Sequence, residues 1–241
     1  MANICIICAI EQETTPILQR FPAARVSNLA GLPAWHFQAF GHSVTLIQSG
    51  IGGSRAAKAA TEVVALAPEI IISAGFCGAL TAEVAIGELF LAEKLYRYAS
   101  GTLTAENFPD PELKSLSGEH LKKATFITTA GIVKKTHLKA LLPDPNAAHM
   151  LEMESSAVAG VCNSNGIRFI AIRSVSDTAE QDPSELFQLV CDNEWNVRIG
   201  KVALALMKKP SLLPELLRLN RNTALAGKTL TGAIALTLEG I

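Results

Sequence analysis

The sequence predicts an α/β fold: one domain over residues 1–241, a central mixed β-sheet flanked by helices, with residues 208–241 as a helical extension. Three observations carry this. Short apolar, β-branched runs alternate with Ala- and Leu-rich helical runs along the chain. No linker, repeat or low-complexity tract divides it. The composition, 49% hydrophobic and 18% charged with mean hydropathy +0.29, supplies a core large enough to offset the ordering entropy.

The elements follow in order. Residues 3–10 form a first strand, and Pro16 to Arg20 a short first helix. Trp35–Phe40 and Ser43–Ser49 pair as a hairpin turning at Gly41-His42. Gly50-Ile51-Gly52-Gly53 is a tight turn into an Ala-rich helix, Ser54–Ala67, which Pro68 stops. Glu69–Ala74 is a buried strand running into Gly75-Phe76-Cys77-Gly78. Gly87–Tyr98 is a strand, and residues 99–111, rich in Gly, Pro, Asn and Asp, a loop. Ala124–Thr129 is a strand, Lys134–Leu142 a short helix, and Glu154–Asn163 a helix capped at Asn165-Gly166. Arg168–Ser176 is a central strand, and residues 184–208 and 212–230 are helices.

Net charge is −1, from 21 basic and 22 acidic residues, so no cationic field draws nucleic acid. No apolar run approaches the ~18 to 20 residues that span a bilayer. The first apolar run lacks a basic leader and is followed by Glu11 and Glu13, so it is expected to be a strand and not a signal peptide, and the cysteine usage sets the expectation of a cytoplasmic protein. An odd number of cysteines, five, fits free thiols in a reducing compartment. Cys5 and Cys8 have the C-x-x-C spacing of redox and zinc sites. That odd spacing sends strand side chains to opposite faces, and no second pair completes four ligands, so both are expected in the core. The five histidines are scattered, no metal is expected, and no Gly-x-Ser-x-Gly hydrolase turn occurs.

Acidic residues stand at the ends of strands or starts of helices: Glu11/Glu13, Glu152/Glu154 around Met153, and Asp177. In an open α/β sheet these points converge on the ligand cleft, where burial raises a carboxyl's pKa into the range of acid–base work. Helix capping is the competing reading of each. The Ser49–Gly53 turn likewise either presents N–H groups to an oxygen-rich ligand or is simply a tight β–α connection.

Five segments taken together resolve these alternatives. They are Ser49-Gly50-Ile51-Gly52-Gly53, the run Ile71 to Leu80 (IISAGFCGAL), Val84 to Leu89 (VAIGEL), Leu151 to Ala159 (LEMESSAVA) and Ile172 to Asp177 (IRSVSD). In this order they resemble the nucleoside phosphorylase/nucleosidase superfamily, nearest its methylthioadenosine/S-adenosylhomocysteine nucleosidase branch, over roughly residues 3–207. The resemblance implies a three-layer α/β/α domain that cleaves the N-glycosidic bond of an adenine nucleoside. By position, Asp177 would protonate purine N7 and accept from the exocyclic amine; Glu13 would activate water; Arg173 would hold that water or orient Glu13. Glu154 would grip the ribose hydroxyls, Met153 would line the sugar, Ser176 would position Asp177, and the backbone at Ile132 and Val133 would meet the base. Phe76, Gly78 and Gly52 complete the expected binding set.

The resemblance implies no cofactor; phosphate is the one co-substrate the superfamily admits. The Gly-Asp-x-x-Arg phosphate motif of its phosphorylases is absent, which favours water. It also implies a homo-oligomer, most simply a dimer, with the 99–111 loop reaching a neighbouring pocket. The segment from Lys208 onward resembles the tail of the hopanoid-associated branch, which releases adenine from adenosylhopane. Its leucines 212, 213, 216, 217 and 219 with Lys208, Lys209, Arg218 and Arg221 make a basic amphipathic helix, suited to a membrane surface or lipid-like 5′ group, or else to docking on the domain or a partner subunit. Phe76, where the nucleosidases place a small polar residue, motivates a third reading, a non-catalytic nucleoside sensor.

Overall fold

Residues 4–8 (ICIIC) are apolar and buried throughout, three of them β-branched isoleucines, which suits a strand buried on both faces. The computed structural model describes residues 1–23, 25–108, 121–144, 146–182, 189 and 199–241. The strands are β1 Asn3–Cys8, β2 Arg25–Leu29, β3 Leu32–Ala39, β4 His42–Gln48, β5 Ile70–Ala79, β6 Leu89–Ala99, β7 Thr102–Glu106, β8 Lys122–Thr129, β9 His149–Glu152 and β10 Arg168–Asp177. The helices are α1 Glu11–Arg20, α2 Gly53–Val64, α3 Lys135–Lys139, α4 Ser155–Asn165, α5 Ile199–Lys208 and α6 Leu213–Gly240.

The strands make one mixed sheet in the order β10-β6-β8-β9-β5-β1-β4-β3-β2, with β7 paired to β6. An added β10–β5 pairing closes β10, β6, β8, β9 and β5 into a ring. β4, β1, β5 and β10 run parallel, so Gln48, Cys8, Ala79 and Asp177 all end on one edge.

The core has two sides. Cys5, Ile7 and Ile71 pack with the alanines of α2 and with Val158, Ala159 and Cys162 of α4. Ile4, Ile6, Cys8 and Ile72 pack with Ile17 of α1 and Leu230, Ala233 and Ile234 of α6. This is the expected three-layer α/β/α arrangement. Cys5 and Cys8 face opposite sides as free, buried thiols. Burial holds both in the thiol form, pushing Cys5 up to about 12.

Several boundaries differ from the sequence reading. Pro16 to Arg20 fall within α1, which begins at Glu11 because its first turn finds an acceptor at the carbonyl of Ile10. β5 continues through Gly75-Phe76-Cys77-Gly78, held by β10. The 99–111 segment is not a loop throughout: after a turn at Ser100-Gly101, β7 folds back on β6, and Arg97 and Glu106 form an ion pair across the hairpin at 2.7 Å. Residues 109–111 lie outside the described residues, as does most of the 184–208 helix, whose described end is α5. β2 and β9 carried no clear signal; β2 is exposed along most of its length, and β9 spans four residues. Gly166 caps α4 in the left-handed conformation (φ 64°), as the Asn165-Gly166 pair predicts.

α6 is longer than residues 212–230 and divides in two. Its C-terminal half buries Ala226, Gly227, Leu230, Ile234 and Leu238. At Gly227 the helix approaches α1 so closely that a Cβ would lie 3.0 Å from the carbonyl of Gln12 and 3.7 Å from the Phe76 ring. Its N-terminal half leaves Leu213, Leu217 and Leu225 exposed, near Leu204 and Met207 of α5 in sequence. No helix of the described residues is long and apolar enough to cross a membrane.

Candidate active site

Glu13 lies in the first turn of α1, and its side chain folds back over the helix start. Oε2 accepts from the N–H groups of Ala9 and Ile10 at 2.7 and 3.2 Å, and Oε1 from the N–H of Phe76 at 2.8 Å. Burial nonetheless raises its pKa; the three amides and the Arg173 charge act the other way. Glycine at position 75 makes this placement feasible, since a Cβ there would stand 2.7 Å from Glu13 Oε1.

Glu154 lies at the start of α4. Its Oε1 accepts from the N–H of Gly52 at 2.8 Å and its Oε2 from the N–H of Met153 at 3.3 Å. The Gly50–Gly53 turn, with Gly52 at φ 102°, therefore offers this N–H to a carboxylate of the protein itself. Burial, reinforced by Glu152, pushes Glu154 up to about 7. Glu13, Glu154, Arg173, Ser49 and Ser73 line one small cavity at the strand ends, of about 10 Å³, near what a single water needs.

Arg173 is not aimed at Glu13. Its guanidinium donates to Glu152 at 2.6 Å, to Ser73 O and Oγ at 2.8 and 3.0 Å, and to Ser155 Oγ at 2.9 Å; Glu154 is 3.8 Å away. It is 1% exposed and set among three carboxylates, so its effect on Glu13 acts through the field. Glu152, weighed in the sequence beside Glu154 but given no role, is the arginine's direct partner. It also accepts from Thr128 Oγ1 and from the N–H groups of Glu154 and Ser155 at 3.0 and 2.8 Å, which anchors the start of α4.

Asp177 forms a second group. Ser176 Oγ donates to its Oδ1 at 2.9 Å, and its Oδ2 is paired with the Lys135 ammonium. Lys135 is 3% exposed and donates also to the carbonyls of Thr178 at 2.7 Å and Asp177 at 3.3 Å. Burial raises the pKa of Asp177, opposed by Lys135 and Ser176. Lys135 was missed because Lys134-Lys135-Thr136 reads as a solvated helix start; nothing local reveals that one lysine turns inward. Ile132 and Val133 lie in the segment that delivers it, and Val133 packs beside Leu80 and Leu138.

Gly78 leaves room for this ion pair: a Cβ would stand 2.5 Å from Asp177 Oδ2 and 3.0 Å from Lys135 Nζ. Gly78→Ala is therefore expected to keep the fold but displace the acid, costing on the order of 100-fold in turnover, checked by steady-state kinetics beside a thermal melt. Phe76 requires a correction. Its ring packs with the α1/α6 side of the core, and only its N–H reaches the site, so the feature that suggested a sensor is absent from the cavity.

Among the described residues no group of three or more His, Cys, Asp or Glu side chains is placed to hold a metal. The acids sit instead on the carboxyl edge of the parallel strands, the usual ligand edge of such sheets.

Residues 3–208 match the phosphorylase superfamily. The chain belongs to that superfamily. Among curated members it is 28% identical to the 5′-methylthioadenosine/S-adenosylhomocysteine nucleosidase of Shewanella halifaxensis, over 86% of this chain and 99% of that one. It is 24% identical to the Glaesserella parasuis enzyme of the same name, over 75% and 87%. Two solved structures share the fold with a TM-score of 0.75: a Helicobacter pylori 5′-methylthioadenosine/S-adenosyl homocysteine nucleosidase, 17% identical over 100% of this chain and 99% of that one, and the Streptococcus pyogenes S-adenosylhomocysteine nucleosidase, 20% identical over 100% and 97%. The superfamily match ends at residue 208, so α6 lies beyond it.

Proposed function

We propose that this phosphorylase-superfamily protein is an enzyme that hydrolyses the N-glycosidic bond of an adenine nucleoside, releasing adenine. The observation that carries the reading is the convergence of Glu13, Glu154 and Asp177 on one edge of the parallel sheet. Gly75 and Gly78, both on β5, make room for Glu13 and Asp177. Asp177 serves the base end, protonating N7 and accepting from the amine. Ionised Glu154 takes the ribose hydroxyls, with Met153 against the sugar. The base leaves with the N9–C1′ electron pair, the ribosyl centre becomes cationic, and water adds at C1′ as Glu13 takes its proton. Glu13 is bound by three amides and adjoins a cavity of about one water's size, which supports water rather than phosphate as acceptor.

The test is adenine release from methylthioadenosine, S-adenosylhomocysteine and adenosine, with and without phosphate. Release at a rate independent of phosphate is expected; no adenine from any of them overturns the reading. The rate at low substrate should fall as the pH drops through about 7, because Glu154 must be ionised to accept from the ribose. Stability runs the other way. A carboxyl whose pKa is raised by folding contributes most below its ordinary range and loses that contribution as the pH rises through about 7. Glu154→Gln should therefore flatten the decline of Tm across that interval.

A second reading has one observation in its favour. The exposed leucines 213 and 217 of α6 precede Asn222, whose Nδ2 lies 3.4 Å from Gln181 Oε1 in the segment after Asp177. An apolar surface flanked by Lys208, Lys209, Arg218 and Arg221 thus lies on the helix that reaches the segment after Asp177, which suits a lipid-like group such as that of adenosylhopane. Adenine release from that substrate, and none from the three small ones, would establish it.

A further inference from the structure

Lys135 is a buried cation in the described site for which the hydrolytic scheme has no use, and its position is built rather than incidental. The side chain comes from the five-residue α3, is 3% exposed, and ends on a carboxylate that is itself 8% exposed. Gly78 is shaped around the pair. The α3 backbone is secured as well, since the N–H of Lys135 donates to Asp182 Oδ2 at 3.0 Å. Burying both charges is costly, and apolar side chains in place of the pair would avoid that cost.

Resting on the adenine-nucleoside reading, we infer that Lys135 is a positioning residue that keeps Asp177 supplied with the proton it delivers to the purine. A carboxyl without this partner would have to take that proton from solvent, which offers few at alkaline pH. Paired with an ammonium, the site carries one proton between Nζ and Oδ2. When a purine covers the pair and excludes water, the charged arrangement loses solvation and the neutral amine–carboxylic acid pair gains on it. The Nζ–H bond then breaks as the Asp177 O–H forms. That O–H breaks in turn as N7–H forms, and the N9–C1′ electron pair passes into the base. Lys135 leaves the step as a neutral amine and regains its proton from solvent, while Glu13 holds the one lost by water.

Among the described residues, the other groups near the pair are Ser176 on β10, the Cys77 thiol on β5, and Glu180 and Asp182 on the segment after Asp177. Lys139 of α3 lies farther out, donating to the carbonyl of Ala179 at 3.0 Å. None of these offers a second cation in contact with the Asp177 carboxylate.

The experiment measures kcat and KM for adenine release by the full chain, from about pH 5 to about pH 9, in the wild type, Lys135→Met and Lys135→Arg. At alkaline pH, Lys135→Met should lose about 100-fold or more in kcat with KM changed by less than about threefold. Its rate should recover toward acid pH, where solvent protonates Asp177, a recovery the wild type lacks. Lys135→Arg keeps the charge, but a guanidinium does not give up its proton, so it should be as slow as Lys135→Met at alkaline pH. Full rescue by arginine, or an unchanged pH profile in Lys135→Met, would show that the lysine only ties down the 177–178 carbonyls, and would overturn the inference while leaving the hydrolase reading intact. If Lys135→Met fails to fold, the arginine variant decides alone. A wild type that releases no adenine overturns the reading and the inference together.

Discussion

Asp177→Asn is expected to lower kcat for adenine release by about 1,000- to 10,000-fold while changing KM far less. The amide is nearly isosteric, so the side chain stays between Ser176 and Lys135, within reach of the base's amine through its own oxygen. It has no proton acidic enough to pass to N7, so the purine must leave as an anion, and the barrier rises by the full worth of the general acid. The amide also turns an ion pair into a lone buried ammonium, so part of the effect appears as a lower Tm. Assays held well below that Tm separate the two contributions. Wild-type turnover in this variant would remove Asp177 from the acid role.

Arg173→Met should be the most destabilising single change in the site, by about 3–5 kcal/mol. The arginine is among the largest fully buried side chains and satisfies Glu152, both polar oxygens of Ser73 and Ser155 Oγ. Methionine fills similar volume, so the loss is not chiefly a cavity. It is the cost of leaving Glu152 charged in the core with only Thr128 and two amides, beside Glu13 and Glu154. For a chain of this size a change of that kind lowers Tm by roughly 6–20 °C. Adding Glu152→Gln to Arg173→Met should recover much of it, since the stranded charge is then gone. A melt of the single variant within about 1 °C of wild type would show that the arginine is not the counter-charge of this cluster.

The fold class was legible because it depends on periodicity. The β-branched runs at 4–7, 70–72 and 169–172 have few ways to be buried except in a parallel sheet, and the alanines of α2 have few places except against it. The acids were legible for a similar reason: a carboxylate at the end of an apolar strand stands out from its neighbours. What failed to show was set by partners distant in sequence. β7 forms because β6 offers an unpaired edge to a segment whose composition reads as a loop. Glu13 enters a helix because α1 starts at the turn that its own side chain satisfies.

Arg173 and Lys135 make the same point within the site. From sequence, Arg173 lies four residues from Asp177 and invites a role near the water; across the β10–β5 ladder it stands opposite Gly75, and its reach ends on Glu152. Lys135 lies 42 positions from the carboxylate it touches. Phe76 shows the converse, a side chain conspicuous in the motif whose ring faces away from the cavity.

By itself the sequence determined the α/β class and the candidate acids, because hydrophobic period and strand-end polarity are local properties, while the superfamily followed from the resemblance carried by five segments. Only the tertiary structure decided which charge meets which. It brought Arg173 to Glu152, Lys135 to Asp177 and Gly52 to Glu154, and it docked half of α6 on the sheet while leaving the other half exposed. The physical reason is that a buried charge is stabilised by the partners that replace its water. In this fold those partners come from other elements, 21 to 102 residues away along the chain.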